Sequence, residues 1–178
     1  MNDMAGIEEL YSVLQDRFFG KYRGFVTSNT DSEARGRLQV RVPNVMGDQL
    51  IWALPCVPYA GNGVGFFAMP PVDAGVWIEF EGGDPSYPVW VGCFWSDGQI
   101  DSADASPSIK FWKTDSATIR IDDDAGTVTI ETSDGSVLTI GSGKISSEAS
   151  EVSASANGNS HSLSATGFDV NNGALSVM

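Results

Sequence analysis

The stretch Pro70-Pro-Val-Asp-Ala-Gly-Val-Trp-Ile-Glu-Phe-Glu-Gly-Gly-Asp84 decides the fold of the first half of this chain. Its apolar residues Val76, Ile78 and Phe80 recur at every second position, with a tryptophan and glutamates between them. This alternation is typical of a half-buried β-strand that turns one face to a core. The Pro-Pro pair before it and the Gly-Gly-Asp after it are turn residues. We therefore predict one bounded strand here.

The same signal recurs on both sides of this stretch. In Gly36-Arg-Leu-Gln-Val-Arg-Val-Pro43, the apolar side chains of Leu38, Val40 and Val42 share one face, and polar side chains occupy the other. Turn residues separate five predicted strands: Phe25–Thr27, Leu38–Val42, Ile51–Val57, Val76–Phe80 and Val89–Phe94. Five short strands in about 75 residues fit a small closed barrel of the OB-fold type, which leaves no sheet edge open.

A single helix is predicted ahead of the barrel. Ile7, Leu10, Tyr11, Leu14 and Phe18 recur at helical spacing and indicate a short amphipathic helix over residues 4–19. It packs on its own domain or docks on a partner, and the sequence leaves both open. We assign residues 1–19 to an N-terminal helical segment and residues 20–95 to the OB-fold domain.

Charge and composition exclude several classes of function. The chain of 178 residues has 23 acidic and 10 basic residues and a net charge of −13, which disfavours nucleic-acid binding. The N-terminus has no cationic stretch followed by an apolar core, so no secretory signal is predicted. Without export, Cys56 and Cys93 in their apolar runs are predicted to be buried thiols rather than a disulfide or metal pair.

The composition changes after Trp95. Residues 96–109 are polar and are predicted to be a linker. Short alternating strands follow, including Thr127-Val-Thr-Ile and Ser136-Val-Leu-Thr-Ile, and beyond Gly141 serine, glycine and asparagine dominate. Such a tail is either disordered or part of an intertwined oligomer, because one chain could not bury enough surface with these strands. The period-two apolar pattern and the low charge favour three copies around one axis, each closing the open edges of the others.

No enzyme signature was found in the sequence, which has no nucleophile elbow, phosphate loop or Cys-x-x-Cys pair. We therefore predict neither catalytic activity nor a cofactor. The acidic run at 122–124 lacks the spacing of a calcium loop and is predicted to be a hydrated turn. Trp52, Trp77, Trp90 and Trp95 fit a sugar- or base-stacking platform, but core packing and subunit contacts are favoured for them.

With these residues in view, the chain resembles the phage baseplate assembly protein V family and, more widely, the VgrG-like central spike proteins of contractile injection systems. Six features carry the resemblance: Tyr22-Arg-Gly-Phe-Val26, the strand at 36–43, Trp52 with Pro55, the turn at 63–65, and the stretches at 70–84 and 88–95. It covers residues 20–95 well. In the tail the resemblance is one of pattern.

The resemblance implies an all-β spike, in which the OB-fold barrel is followed by an intertwined trimeric β-helix or β-prism needle over residues 110–178. It implies a homotrimer that punctures a target envelope, a separate baseplate hub protein at the N-terminal and barrel region, and a PAAR-like tip protein at the C-terminus. It places the protein in a phage tail baseplate or injection-system particle, after synthesis in the bacterial cytoplasm. The rival functions are an OB-fold ligand-binding module and a trimeric surface adhesin.

Some spikes of this family end in a His-x-His pair that binds iron on the axis. This chain has one histidine, His161, which is a weak candidate for a metal ligand on a threefold axis. For tip-protein binding we predict Asn171, Asn172, Gly173, Ala174, Leu175, Ser176, Val177 and Met178. The residues predicted to form trimer contacts are Trp112, Ile119, Ile121, Val128, Ile130, Leu138, Ile140, Leu163, Phe168, Val170, Leu175 and Val177.

Overall fold

The computed structural model describes residues 16–178. The chain divides into two compact units, with the boundary between Gln99 and Ile100. Residues 96–99 of the predicted linker fall in the first unit and residues 100–109 in the second. In the described part of the chain, no helix has the length and apolar character needed to cross a membrane.

The first unit is built on a closed five-stranded barrel with the strand order β1-β2-β3-β7-β6, which confirms the all-β, OB-like prediction. Its strands pair antiparallel except β3 and β7, which pair parallel. The barrel strands are β1 (Tyr22–Ser28), β2 (Leu38–Arg41), β3 (Leu50–Pro55), β6 (Gly75–Phe80) and β7 (Pro88–Phe94). Three small elements lie between them: helix α1 (Pro43–Met46), the hairpin β4 (Ala60–Gly61) with β5 (Val64–Gly65), and a 3-10 turn (Glu81–Gly83).

The barrel core follows the alternation of the sequence. Leu38, Val40 and Val42 are fully buried, and so are Val76 and Ile78, as the period-two pattern predicted. The buried residues of the core cluster are Val26, Leu38, Val40, Val42, Ala53, Val76, Ile78, Phe80 and Trp90. Burial of apolar side chains is the main force that stabilises such a small domain.

The barrel tryptophans divide between core and surface. Trp90 is buried and donates its indole N–H to the Gly36 carbonyl at 3.2 Å. Trp77 is half-buried, and Trp52 and Trp95 are exposed. Core packing is therefore observed for Trp90, and subunit contacts of the other three stay a prediction.

The prediction that Cys56 and Cys93 are buried is wrong, because both are exposed free thiols. Cys56 follows the last residue of β3, and Cys93 is the penultimate residue of β7. Both therefore lie where a barrel strand ends, beyond the packed layers of the core. Partial burial nevertheless raises the pKa of the Cys93 thiol.

Most of the predicted helix over residues 4–19 lies outside the described residues. Residues 16–19 form a turn and an irregular segment, and they are not helical. Phe18 donates its backbone N–H to the Gly83 carbonyl at 2.8 Å, and its ring packs against Tyr22 and Phe80. This segment is therefore attached to the barrel.

The second unit consists of two antiparallel sheets in which each strand pairs with the next one along the chain. The first sheet contains β8 (Ile109–Lys113), β9 (Ala117–Asp122), β10 (Thr127–Thr132), β11 (Val137–Gly141) and β12 (Lys144–Glu148). The second sheet contains β13 (Glu151–Ala156), β14 (Asn159–Ser164), β15 (Gly167–Val170) and β16 (Leu175–Val177). Strands therefore continue through the serine-rich tail to Val177.

Candidate assembly surface

One face of the first sheet is mainly apolar, with Lys110 and Ser147 on its two edge strands. Pairing of neighbouring strands aligns Trp112, Ile119, Ile130 and Leu138 in one row across β8 to β11. A second row, two residues along each strand, aligns Ile121, Val128, Ile140 and Ile145 across β9 to β12. Because side chains two apart lie on the same face of a strand, both rows face the same way. We call these eight residues the isoleucine face.

The opposite face of this sheet is mainly polar, with Ile109, Phe111 and Val137 among its polar side chains, and the segment before β8 contacts it. Thr118 on this face is buried, with 8% of its surface exposed. Arg120, also on this face, pairs with the Asp104 carboxylate, and Lys113 contacts the same carboxylate at 3.5 Å. The hydrogen bond from Arg120 holds the pKa of Asp104 below its usual range, against partial desolvation that raises it. The segment before β8 is therefore anchored on the polar face.

This distribution is the reverse of what water favours for one chain. Ile119, Ile121, Ile130 and Ile140 each expose 41–45% of their surface, and Ile145 exposes 70%. Thr127, Thr129 and Thr139, on the opposite face, are half-buried. An exposed apolar face shared by eight residues of one sheet indicates a contact surface.

The second sheet repeats the arrangement. Val152, Leu163, Phe168 and Val177 form one row across β13 to β16. Ala154, His161, Val170 and Leu175 form the neighbouring row on the same face. Leu163, Leu175 and Val177 each expose more than half of their surface. We call these eight residues the leucine face, and the opposite face carries mainly serines.

The structure brings all twelve residues predicted for trimer contact onto these two faces. The prediction of trimer contacts did not include Ile145, Val152, Ala154 and His161, which complete the rows. Ile145 stands alone between Lys144 and Ser146, so no local alternation identified it. The hairpin register, which pairs Ile145 with Ile140, is the missing information.

His161 lies on the leucine face, between Ala154 and Val170 in its row. Its ring centre is 6.1 Å from that of Phe168. Within residues 16–178, no group of three or more His, Cys, Asp or Glu side chains is placed to hold a metal ion. Within one chain, His161 is a polar group on an apolar surface.

The residues predicted to seat a tip protein form a turn and the edge strand of the second sheet. The Asn171 side chain accepts a hydrogen bond from the Ser160 N–H at 2.8 Å and donates one to Asn159 Oδ1 at 3.1 Å. Gly173 donates its N–H to the Asp169 carboxylate at 3.1 Å. The turn at 171–174 is thus fixed against the start of β14, and β16 follows it with one edge unpaired in the sheet.

The comparison with protein families concerns the barrel. Residues 22–95 match the model of a family described as the type VI secretion system/phage-baseplate injector OB domain. A comparison with curated proteins gave no match.

Proposed function

From the match of residues 22–95 to the injector OB domain family of type VI secretion systems and phage baseplates, we propose that the chain is the central spike of such an injector. The match supports a structural, baseplate-related role for the protein in a virion or injection-system particle. In the proposal the unit from Ile100 onward is a homotrimeric needle that pierces the target envelope. The barrel unit binds the baseplate hub protein, and residues 171–178 receive a PAAR-like tip protein.

The observation that carries this proposal is the isoleucine face. Burial of apolar surface stabilises a contact by about 25 cal/mol for each Å² removed from water. A face that stays exposed in one chain while its polar reverse side is covered therefore favours association through that face. A threefold arrangement supplies each sheet with a cover and places its edges beside the edges of neighbouring copies. The leucine face extends the same contact to the end of the chain.

The proposed role is mechanical rather than enzymatic. Contraction of a sheath applies force along the axis of the spike. In an intertwined β needle, many interstrand hydrogen bonds would have to break together before the needle buckled. The isoleucine and leucine faces hold the three chains together. The free energy of this association therefore sets the load that the needle withstands.

The test is the solution mass of the purified protein by multi-angle light scattering. We expect three times the 18.9 kDa of one chain. Ile130→Asp should give monomers, because a carboxylate buried on the isoleucine face has no partner. Thr129→Asp introduces the same charge at the adjacent position of β10, on the polar face, and should leave the trimer intact.

A wild-type protein of one-chain mass would overturn the needle proposal and favour the rival OB-fold binding module. Equal loss of the trimer in both variants would show that added charge, rather than the isoleucine face, controls association. A trimer that survives Ile130→Asp would place the contact elsewhere in the molecule.

A further inference from the structure

The outer surface of the barrel carries a compact group of two arginines and three aromatic rings, which we call the arginine–aromatic cluster: Arg23, Phe25, Arg41, Trp77 and Phe94. Arg23 is the direct neighbour of Trp77 across β1 and β6, and Arg41 is the neighbour of Phe25 across β1 and β2. The Arg23 guanidinium lies 5.4 Å from the ring centre of Phe94 and 5.7 Å from that of Trp77. Arg41 lies 5.8 Å from that of Phe25.

A glycine under the cluster allows the rings to pack. Gly75 pairs with both Phe25 and Phe94, and a methyl carbon placed on it would lie 2.5 Å from the Phe94 ring. Phe94 therefore folds down over Gly75, with its ring centre 5.0 Å from that of Trp77 and 6.3 Å from that of Phe25. The three rings form a continuous half-buried platform beside the two guanidinium groups.

The charge of these arginines is not neutralised within the described chain. All ten lysines and arginines lie within residues 16–178, and seven of them form ion pairs. Arg23 and Arg41 are two of the three that form no ion pair with a side chain of residues 16–178. Two guanidinium groups on the paired strands β1 and β2, with no ion pair among residues 16–178, form a local site for an anion.

We propose that the arginine–aromatic cluster is a docking site for an acidic polypeptide segment. Two carboxylates of the segment pair with Arg23 and Arg41, since the planar guanidinium matches a carboxylate with two parallel hydrogen bonds. The aliphatic parts of the segment's side chains pack on the rings of Trp77 and Phe94. The site is complete in one chain, so it does not depend on the proposed trimer.

An acidic peptide fits this surface better than a nucleic acid does. Binding along a phosphate backbone requires a groove with several cations, and here two arginines stand on a strongly acidic chain. Two carboxylates match two guanidinium groups, each through two parallel hydrogen bonds. Dissolved salt screens exposed charges, with a screening length of about 10 Å at 0.1 M. Salt should therefore weaken the ion pairs between the peptide and the two arginines.

The experiment titrates the full chain with fluorescein-labelled hexaglutamate and follows fluorescence anisotropy at low salt. We expect saturable binding that Arg23→Met with Arg41→Met weakens about tenfold or more, as loss of two charge-assisted hydrogen-bonding groups requires. The control is Lys21→Met with Arg35→Met, which removes the same charge from ion-paired positions of the same unit. Near-ultraviolet circular dichroism checks that the aromatic packing is retained in both variants.

A third variant, Trp77→Ala, should weaken binding while the charge stays unchanged. Equal weakening by the arginine pair and by the control pair would overturn the proposal, because only net charge would then matter. Absence of hexaglutamate binding would overturn it as well. Tighter binding of labelled hexathymidylate than of hexaglutamate would assign the cluster to nucleic acid instead.

Discussion

At the scale of single residues, Asp31 organises the loop between β1 and β2. Its carboxylate accepts backbone N–H groups from Glu33, Arg35 and Arg37 at 2.9–3.1 Å. It also accepts two bonds from the Arg37 guanidinium, the shorter at 2.7 Å. The Arg37 hydrogen bond is the main cause that holds the pKa of Asp31 well below its usual range, and the backbone N–H groups add to it against desolvation. Arg37 in turn lies 5.1 Å from the ring centre of Trp52.

We predict that Asp31→Asn lowers the midpoint of thermal unfolding by several degrees at neutral pH. The folded pKa of Asp31 is depressed, so its stabilisation is fully present above the unfolded pKa of about 3.9 and is lost as the pH falls below it. The difference in midpoint between wild type and Asp31→Asn should therefore shrink as the pH is lowered below about 4. Thermal scans over a pH series measure this.

Glu33→Gln is the matched control, because Glu33 also contacts Arg37, at 3.0 Å, but its side chain is half exposed. An exposed ion pair contributes little, so its midpoint should stay close to wild type at every pH. A constant difference between wild type and Asp31→Asn down to strongly acidic pH would contradict the assignment of the depressed pKa to this carboxylate.

At the scale of elements, alternation in the sequence predicted the barrel strands and their buried faces, because each strand carries its own period-two signal. It did not predict β12, where Ile145 is the single apolar residue of a polar hairpin. It also misjudged the ends of strands, where Cys56 and Cys93 continue an apolar run after the packed layers have ended. The arginine–aromatic cluster was not predicted, since its members come from four strands and meet only through the register of the barrel.

A second prediction concerns β14 and its histidine. We expect His161→Leu to keep the oligomer and to raise its midpoint of unfolding, because an imidazole on the leucine face loses its water when that face is buried. Ser162→Leu adds an apolar side chain to the opposite face of the same strand and should not raise the midpoint. A lower midpoint for His161→Leu, together with destabilisation of wild type by a chelator, would instead support a metal ligand on the axis.

At the scale of the whole molecule, the two units are stabilised in different ways. The barrel closes its own sheet and buries a core of nine apolar residues within one chain. The two sheets of the second unit have open edges and exposed apolar faces. The sequence could indicate this contrast through its composition, but the number of chains that share the second unit depends on contacts outside a single chain.

Comparison of the full chain with two truncated chains tests which part of the molecule forms the oligomer. We predict that the chain ending at Gln99 is a folded monomer, because the barrel needs no partner to bury its core. The chain ending at Ser150 keeps the isoleucine face and should remain trimeric, with a lower resistance to denaturant than the full chain, which adds the leucine face. Light scattering gives the masses, and urea unfolding gives the resistance. A trimer of the chain ending at Gln99 would move the contact into the barrel, and a monomer of the chain ending at Ser150 would assign association to the leucine face alone.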